Sequence, residues 1–141
     1  MRIFNGFICI MLMIATGSFA MAGNDITGEW VYRITFSTLD GGGDNREMFR
    51  FNADSSFEYR LQSNYFSAKQ GSKKIDMEYR GSFRVEGKTI VFFNVEKRAG
   101  TREDMVPRWA IIEYGQERIQ LKPETSPERG GYMRTFTREG R

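Results

Sequence analysis

The sequence predicts an all-β protein: an eight-stranded up-and-down antiparallel barrel preceded by a cleaved signal peptide. Three observations support this. Apolar and polar residues alternate with period two in segment after segment, no segment has the 3.6-residue period of an amphipathic helix, and short turns alternate with longer connections. The chain has 141 residues, of which 40% are hydrophobic and 28% charged, and only three prolines, which fits one compact domain.

Residues 1–22 have the features of a secretory signal peptide. Arg2 provides the positive start, residues 7–15 form an apolar core, and residues 20–22 (Ala-Met-Ala) form a small-x-small cleavage site. The apolar core is far shorter than the ~20 residues of a membrane-spanning helix. We therefore expect a mature barrel domain over residues 23–141, without an integral membrane segment, in the periplasm or outside a bacterial cell.

The residue types that are missing exclude most enzyme chemistry. The chain has no histidine, and its single cysteine, Cys9, lies in the expected leader, so the usual histidine bases, cysteine nucleophiles, zinc clusters and disulfides are absent. Asp76 and Glu113 lie in predicted strands without an identifiable base or nucleophile as partner. Asp40 and Asp44 flank three glycines but lack the further oxygen ligands of a calcium loop. We expect no enzyme activity, no metal and no cofactor.

The distribution of charged residues indicates which classes of partner are expected. The formal net charge is +3, and basic and acidic residues are interspersed along the chain. That pattern is not the basic stripe of a nucleic-acid-binding protein, so we expect no nucleic-acid partner. A mature chain without cysteine also fits an exported protein, because its folding needs no disulfide chemistry.

Eight segments show the alternation of strands with one buried face. Large side chains occupy every second position in residues 30–37, 49–52, 57–61 and 75–86. The fifth segment, residues 89–96, is apolar on both faces at its centre, so its orientation is open. The set is completed by residues 108–114, 118–121 and 132–138. The inward positions are unusually aromatic: Trp30, Tyr32, Phe36, Phe49, Phe51, Phe57, Tyr59, Tyr79 and Phe83.

The connections between these segments alternate in length. Short hairpin signals occur at residues 53–56, 86–88 and 114–116. Longer connections are expected at residues 37–45, 62–74, 97–107 and 122–131. Because successive turns of an up-and-down sheet lie at opposite ends, all long connections would lie at one end. The pattern predicts a barrel with long loops at one end, the mouth, and only short turns at the other end, the base.

The opening of the first strand, Gly28-Glu29-Trp30, resembles the Gly-x-Trp signature of the lipocalin family. Residues 51–59 and 80–90 are similar to strand-turn-strand units of short bacterial lipocalin-like domains. In that family the first-strand tryptophan packs at the closed end of the barrel beneath an arginine from the last strand. The resemblance therefore implies that Trp30 and Arg138 form a structural barrel base rather than a ligand contact.

Antiparallel pairing of the last strand with the first extends this expectation. It sets Arg138 near Trp30, Phe136 near Tyr32 and Arg134 near Ile34. An arginine over an indole contributes roughly 0.5–2 kcal/mol, depending on desolvation.

The aromatic interior has two interpretations, and the sequence favours neither decisively. Its side chains either line a ligand pocket, with Tyr59, Tyr79, Phe36 and Phe83 as candidate contacts, or simply fill a small barrel.

Arg134 and Tyr132 lie on the same face of the last predicted strand as Phe136, because they are two and four residues from it. Pointing inward, they would suit a carboxylate or phosphate group, because guanidinium donors match it bidentately. A buried guanidinium would need such an anion, or an acidic neighbour, to balance its charge. Alternatively, Arg134 faces solvent or assists the tryptophan stack.

The expected mouth loops carry a second set of candidates. Tyr65 and Phe66 are apolar side chains in a polar connection, so they either cover the mouth or contact a partner. Lys73 and Lys74 lie in the same connection, where basic residues are usually only solvated.

Two functions follow from these alternatives. The first is an exported small-molecule-binding protein, whose apolar or amphipathic ligand, anionic or neutral, is held in the barrel. The second is an interaction module or inhibitor with a filled barrel, which binds another protein through its mouth loops. An inward Arg134 favours the first function, and exposed Tyr65 and Phe66 favour the second.

Overall fold

The computed structural model describes residues 26–100 and 104–140. The expected signal peptide, residues 1–22, lies outside these ranges. The strands are β1 (Gly28–Thr38), β2 (Gly41–Phe51), β3 (Ser56–Ser67), β4 (Gly71–Glu86), β5 (Thr89–Ala99), β6 (Arg108–Tyr114), β7 (Arg118–Pro123) and β8 (Arg134–Glu139), with a 3₁₀ turn at Pro127–Arg129. Each strand pairs antiparallel with the next, and β8 pairs with β1, so the barrel is closed. The predicted all-β, eight-stranded up-and-down barrel is confirmed. In the described ranges no helix is long and apolar enough to cross a membrane.

Two of the four expected long connections are not loops. β1 and β2 are joined by a turn of two residues, Leu39 and Asp40, and β3 and β4 by a turn at residues 68–70. The prediction of loops at residues 37–45 and 62–74 is wrong because both stretches continue the strand ladder. These stretches contain glycines and polar residues, so they lack the alternation of apolar and polar side chains from which a strand is predicted. Residues 104–107 before β6 and the β7–β8 connection are irregular apart from the 3₁₀ turn, as expected.

The extra strand length forms a feature that we call the projecting sheet: residues 32–38 of β1, 41–47 of β2, 61–67 of β3 and 71–77 of β4. Within the described residues, β1 pairs with β8 only over Glu29–Val31, and β4 pairs with β5 only from Glu78 onward. The projecting sheet therefore extends past the barrel wall. One cross-strand row runs Phe36, Gly43, Tyr65, Lys73. A Cβ on Gly43 would lie 2.8 Å from the Phe36 ring, so glycine makes room for that ring.

The barrel interior is packed with aromatic rings. Phe49 lies at the centre, with ring centroids of five neighbours 4.6 to 5.6 Å away: Phe51, Tyr59, Phe92, Trp109 and Phe136. Aliphatic side chains of β5, β6 and β7 complete this core: Ile90, Ile111, Ile119 and Leu121. Of the two interpretations of the aromatic interior, packing holds for the body of the barrel.

The barrel base has the arrangement that the resemblance implied. Trp30 and Arg138 are paired in the ladder, and Arg138 Cζ lies 4.1 Å from the centroid of the indole. Trp30 is fully buried and donates from Nε1 to the Ile26 carbonyl oxygen at 2.8 Å. Phe136 lies near Tyr32, with 5.8 Å between ring centroids. The recorded β1–β8 ladder ends at Val31 and so does not reach Ile34, because β1 continues into the projecting sheet.

Candidate functional site

A buried ion pair lies at the mouth end of the packed core. Arg134, the first residue of β8, is 8% exposed, and Glu47 of β2 is 3% exposed. Nε of Arg134 lies 2.8 Å from Oε1 of Glu47, so the two side chains form a close buried ion pair. Glu47 points inward because it lies two residues before Phe49 on the same strand face. The acidic neighbour that a buried Arg134 requires is therefore Glu47.

Tyr59 holds the other side of the carboxylate. Its hydroxyl donates to Oε2 of Glu47 at 3.0 Å, and its ring lies 4.6 Å from that of Phe49. Glu47 thus has one oxygen against a guanidinium and the other on a phenol. A carboxylate bound on both oxygens is fixed in orientation, and it fixes Arg134 in turn.

The electrostatics of this group follow from burial. Burial raises the pKa of Glu47, while Arg134 and the hydrogen bond from Tyr59 act in the opposite direction. Burial, followed by the negative charge of Glu47, raises the pKa of Tyr59 well above its ordinary value. Burial also raises the pKa of Tyr32. Tyr59 is therefore a protonated donor at neutral pH.

The outer side of the Arg134 guanidinium is only loosely bound. Its Cζ lies 4.0 Å from the centroid of the Tyr132 ring and 5.4 Å from that of Trp109, both distances within the range of cation–π contact. Nη1 lies 3.5 Å from the Tyr132 carbonyl oxygen, at the limit of a hydrogen bond. Gly130, whose φ of 84° requires glycine, ends the 3₁₀ turn beside Nη2.

These groups form the floor of a pocket of ≈ 240 Å³ that we call the mouth pocket. Its polar floor is Glu47, Tyr59 and Arg134. Its apolar wall comes from the barrel and from the β5–β6 connection: Leu61, Met77, Met105, Val106 and Trp109. Asp104 and Arg129 lie at its margin. The pocket is slightly smaller than the usual range for small-molecule sites, roughly 300–1,000 Å³, and it combines an apolar wall with a few convergent polar groups.

The structure brings together only part of the predicted ligand site. Arg134, Tyr59 and Tyr79 line the mouth pocket. Phe83 packs against Phe51 in the core instead, at 4.9 Å between centroids, and is not part of the pocket. Phe36 lies in the projecting sheet. Tyr132 precedes β8 and is 45% exposed, so it covers Arg134 from outside rather than pointing into the barrel.

The four predicted mouth-loop contacts lie in strands. Tyr65 and Phe66 are consecutive residues of β3, and Lys73 and Lys74 are consecutive residues of β4. Neighbours in a strand point to opposite faces. All four residues nevertheless line one cavity at the end of the sheet formed by β1, β2, β3 and β4. Tyr65 stacks on Phe36, with 6.1 Å between centroids, whereas Phe66 is 54% exposed on the other face. The assignment to loops is corrected.

Sequence reasoning missed Glu47 and Trp109. Glu47 has the parity of Phe49 and Phe51, so extending the second strand by one alternation would have placed a carboxylate inside the barrel. Trp109 lies in a segment that was identified as a strand but not assigned a face. Within the described residues no group of acidic side chains forms a metal site.

Comparisons with known proteins do not add a family to this description. No protein-family model matches the chain, and no curated protein matches it either.

Proposed function

We propose that this chain is an exported, lipocalin-like protein that binds a compact amphipathic molecule in the mouth pocket. The observation that carries the proposal is Arg134. Its guanidinium is held in place by Glu47, yet its Nη donors have no strong partner among the described residues. Guanidinium donors that are held at a pocket by a carboxylate, and are not used up by backbone acceptors, are able to bind an acceptor from a ligand.

The pocket restricts the chemistry of the ligand. Glu47 already balances the charge of Arg134, so the ligand needs a hydrogen-bond acceptor but not a full negative charge. A carbonyl or a carboxylate between the Arg134 donors and the pocket margin would satisfy the guanidinium. The body of the ligand would lie against Leu61, Met77 and Trp109.

Size is the second restriction. Because the aromatic core fills the barrel below the pocket, a long alkyl chain has no room to extend inward. We therefore propose a short, ring-sized ligand held at the mouth, in place of a fatty-acid-like ligand along the barrel axis.

Two features support the lipocalin-like and export parts of the proposal. Arg138 over Trp30 at the closed end is the arrangement expected for a lipocalin-like barrel. The sequence of residues 1–22 has the charge, apolar core and small residues of a signal peptide. N-terminal sequencing of the exported protein, with Gly23 as the expected first residue, tests the second feature.

The ligand is tested by native mass spectrometry of the exported protein purified from the cells that produce it. We expect an additional small mass bound to the wild-type protein. Met105→Trp should remove it, because the larger side chain occupies volume in the pocket while Glu47 and Arg134 themselves are unchanged. Met133→Trp is the matched control, since Met133 is half exposed and does not line the pocket. A wild-type chain with no small mass, or a mass that Met105→Trp retains, would contradict the proposal. A bound protein in its place would favour the interaction module.

A further inference from the structure

The projecting sheet has two edges that lack a neighbouring strand. On the outer side, the ladder of β1 with β8 ends at Val31, and that of β4 with β5 begins at Glu78. Among the described residues, no strand therefore pairs with the outer side of residues 33–38 of β1, which we call the β1 edge. Residues 71–75 of β4 also lie beyond the ladder with β5, and we call them the β4 edge; at Asp76 the backbone already lies against Gly100. A free edge presents a row of backbone N–H and C=O groups that another strand can pair with.

The two edges differ in charge. The β4 edge carries Lys73 and Lys74, both exposed, and Lys69 lies in the adjoining turn. Lysines on an edge strand are a common protection against pairing, because an added strand would have to desolvate or repel them. The β1 edge carries only Arg33, and its charge is paired with Glu139 at 2.8 Å. The β1 edge is thus the unprotected one.

The sequence of the β1 edge is also suited to strand pairing. Between Arg33 and Ser37 it reads Ile-Thr-Phe, two β-branched residues and an aromatic one, all with high strand propensity. Ile34 is 40% exposed, and Phe36 is only partly buried. This segment would gain both backbone hydrogen bonds and side-chain contacts from a partner strand.

The β1 edge is complementary to itself when two copies pair antiparallel about Thr35. In that register Thr35 faces Thr35 of the second copy, Ile34 faces Phe36, and Arg33 faces Ser37. Threonine pairs and aromatic–β-branched pairs are favourable across strands, and no like charges lie opposite each other. A register centred on Arg33 would place two arginines together and is disfavoured for that reason.

We propose that this chain forms a two-fold symmetric dimer through the β1 edge, centred on Thr35. The two projecting sheets then join into one continuous sheet of eight strands, and the interface is closed because the same edge serves both copies. The mouth pocket takes no part in this contact, so the proposal is independent of the proposed ligand.

A cysteine at the centre of the interface tests the register. In a full-length Cys9→Ser background, Thr35→Cys places two thiols directly across the strand pair, where the Cα atoms are about 4.5–5.5 Å apart, within the span of a disulfide. Mild oxidation should convert most of this variant to a covalent dimer. Ser37→Cys is the matched control on the same face. Its two thiols would be four residues out of register, about 13 Å along the strand, beyond the reach of a disulfide.

Charge at the same position tests the interface without oxidation. Thr35→Lys and Thr35→Glu should each weaken the dimer about tenfold or more in sedimentation velocity, because like charges then face each other. An equimolar mixture of the two variants should restore the dimer, which also shows that both are folded. Ser72→Lys adds a lysine to the β4 edge on the same face and should leave the dimer intact.

Four results would overturn the proposal. These are a wild-type chain that sediments as a monomer at its highest soluble concentration, a dimer that Thr35→Lys leaves unchanged, a mixture that does not recover, and equal cross-linking of the two cysteine variants.

Discussion

Two arginines of β8 lie on the same strand face, four residues apart, at opposite ends of the barrel. Arg138, at the base, donates to the carbonyl oxygens of Gln116 at 2.6 Å and Thr27 at 2.5 Å while it covers Trp30. Arg134, at the mouth, has one close charge contact, to Glu47, and one hydrogen bond at the limit of distance. An arginine whose donors are bound by backbone carbonyl oxygens has a structural role at the barrel base. One whose donors lie at a pocket remains able to bind a ligand.

The largest effect is expected at the base. Trp30→Ala should lower the free energy of unfolding by about 3–5 kcal/mol, because Trp30 is fully buried and its removal leaves a large void. Chemical denaturation of the wild type and the variant measures this. Ile112→Ala is the control: its side chain is half exposed, and its loss should change stability by less than about 0.5 kcal/mol.

Arg138→Ala should cost less than Trp30→Ala, and the two should not be additive. The ring and the guanidinium share one contact, so the second substitution removes less than it does alone. A double-mutant cycle measures the coupling. Additive losses would mean that the stacking of Arg138 on Trp30 contributes nothing to stability.

At the mouth, Glu47→Gln is expected to cost about 3 kcal/mol. The substitution leaves the buried Arg134 guanidinium without its counter-charge, and breaking a buried pair from one side is more harmful than losing a surface pair. Asp76→Asn is the matched control, because Asp76 pairs with Arg60 at 2.9 Å where both side chains remain about 40% exposed. That control should cost no more than about 1 kcal/mol. Equal effects of the two variants in denaturation would show that burial of the mouth pair does not matter.

The same two regions show what the sequence could and could not predict. The base was predictable because Trp30, Phe136 and Arg138 follow strict alternation in strands with one apolar face, and pairing of the first and last strands then places them together. The projecting sheet was not, because residues 41–47 carry glycines and charges and so lack an apolar face. Glu47 could not be found for the same reason, because the alternation of its strand becomes visible only at Phe49.

The closed barrel itself follows from the eight alternating segments. Whether its interior was filled did not follow, because a count of inward aromatic residues is the same for a lined pocket and a packed core. The difference lies in ring-to-ring distances around Phe49, which depend on strand tilt and on the rings contributed by β5 and β6.

A smaller and pH-dependent effect is expected for Arg134→Met. The methionine leaves Glu47 buried without its cation, but Glu47 can bind a proton, and its pKa is already raised by burial. A raised folded-state pKa means that stability is fully present below the unfolded pKa, about 4.3, and is lost as pH rises through the folded value. We therefore expect little destabilisation near pH 4 and about 1–3 kcal/mol at pH 7.

Denaturation of Arg134→Met and wild type at several pH values tests this. Arg134→Met combined with Glu47→Leu should remove the pH dependence and recover most of the stability, because no buried charge remains. A deficit that is constant between pH 4 and pH 7 would show that Glu47 does not titrate in the variant.

The smallest effect concerns the ring that covers Arg134. Tyr132→Ala should cost about 0.5–1 kcal/mol, because the ring lies 4.0 Å from the guanidinium but is 45% exposed, so the cation–π contact is largely solvated. Tyr132→Phe keeps the ring and should be close to neutral. Since Tyr132 shields the side of Arg134 away from Glu47, its removal should also admit water to the Nη donors and weaken a ligand that depends on them. A loss from Tyr132→Ala as large as that from Glu47→Gln would mean that the ring, and not the carboxylate, holds Arg134 in place.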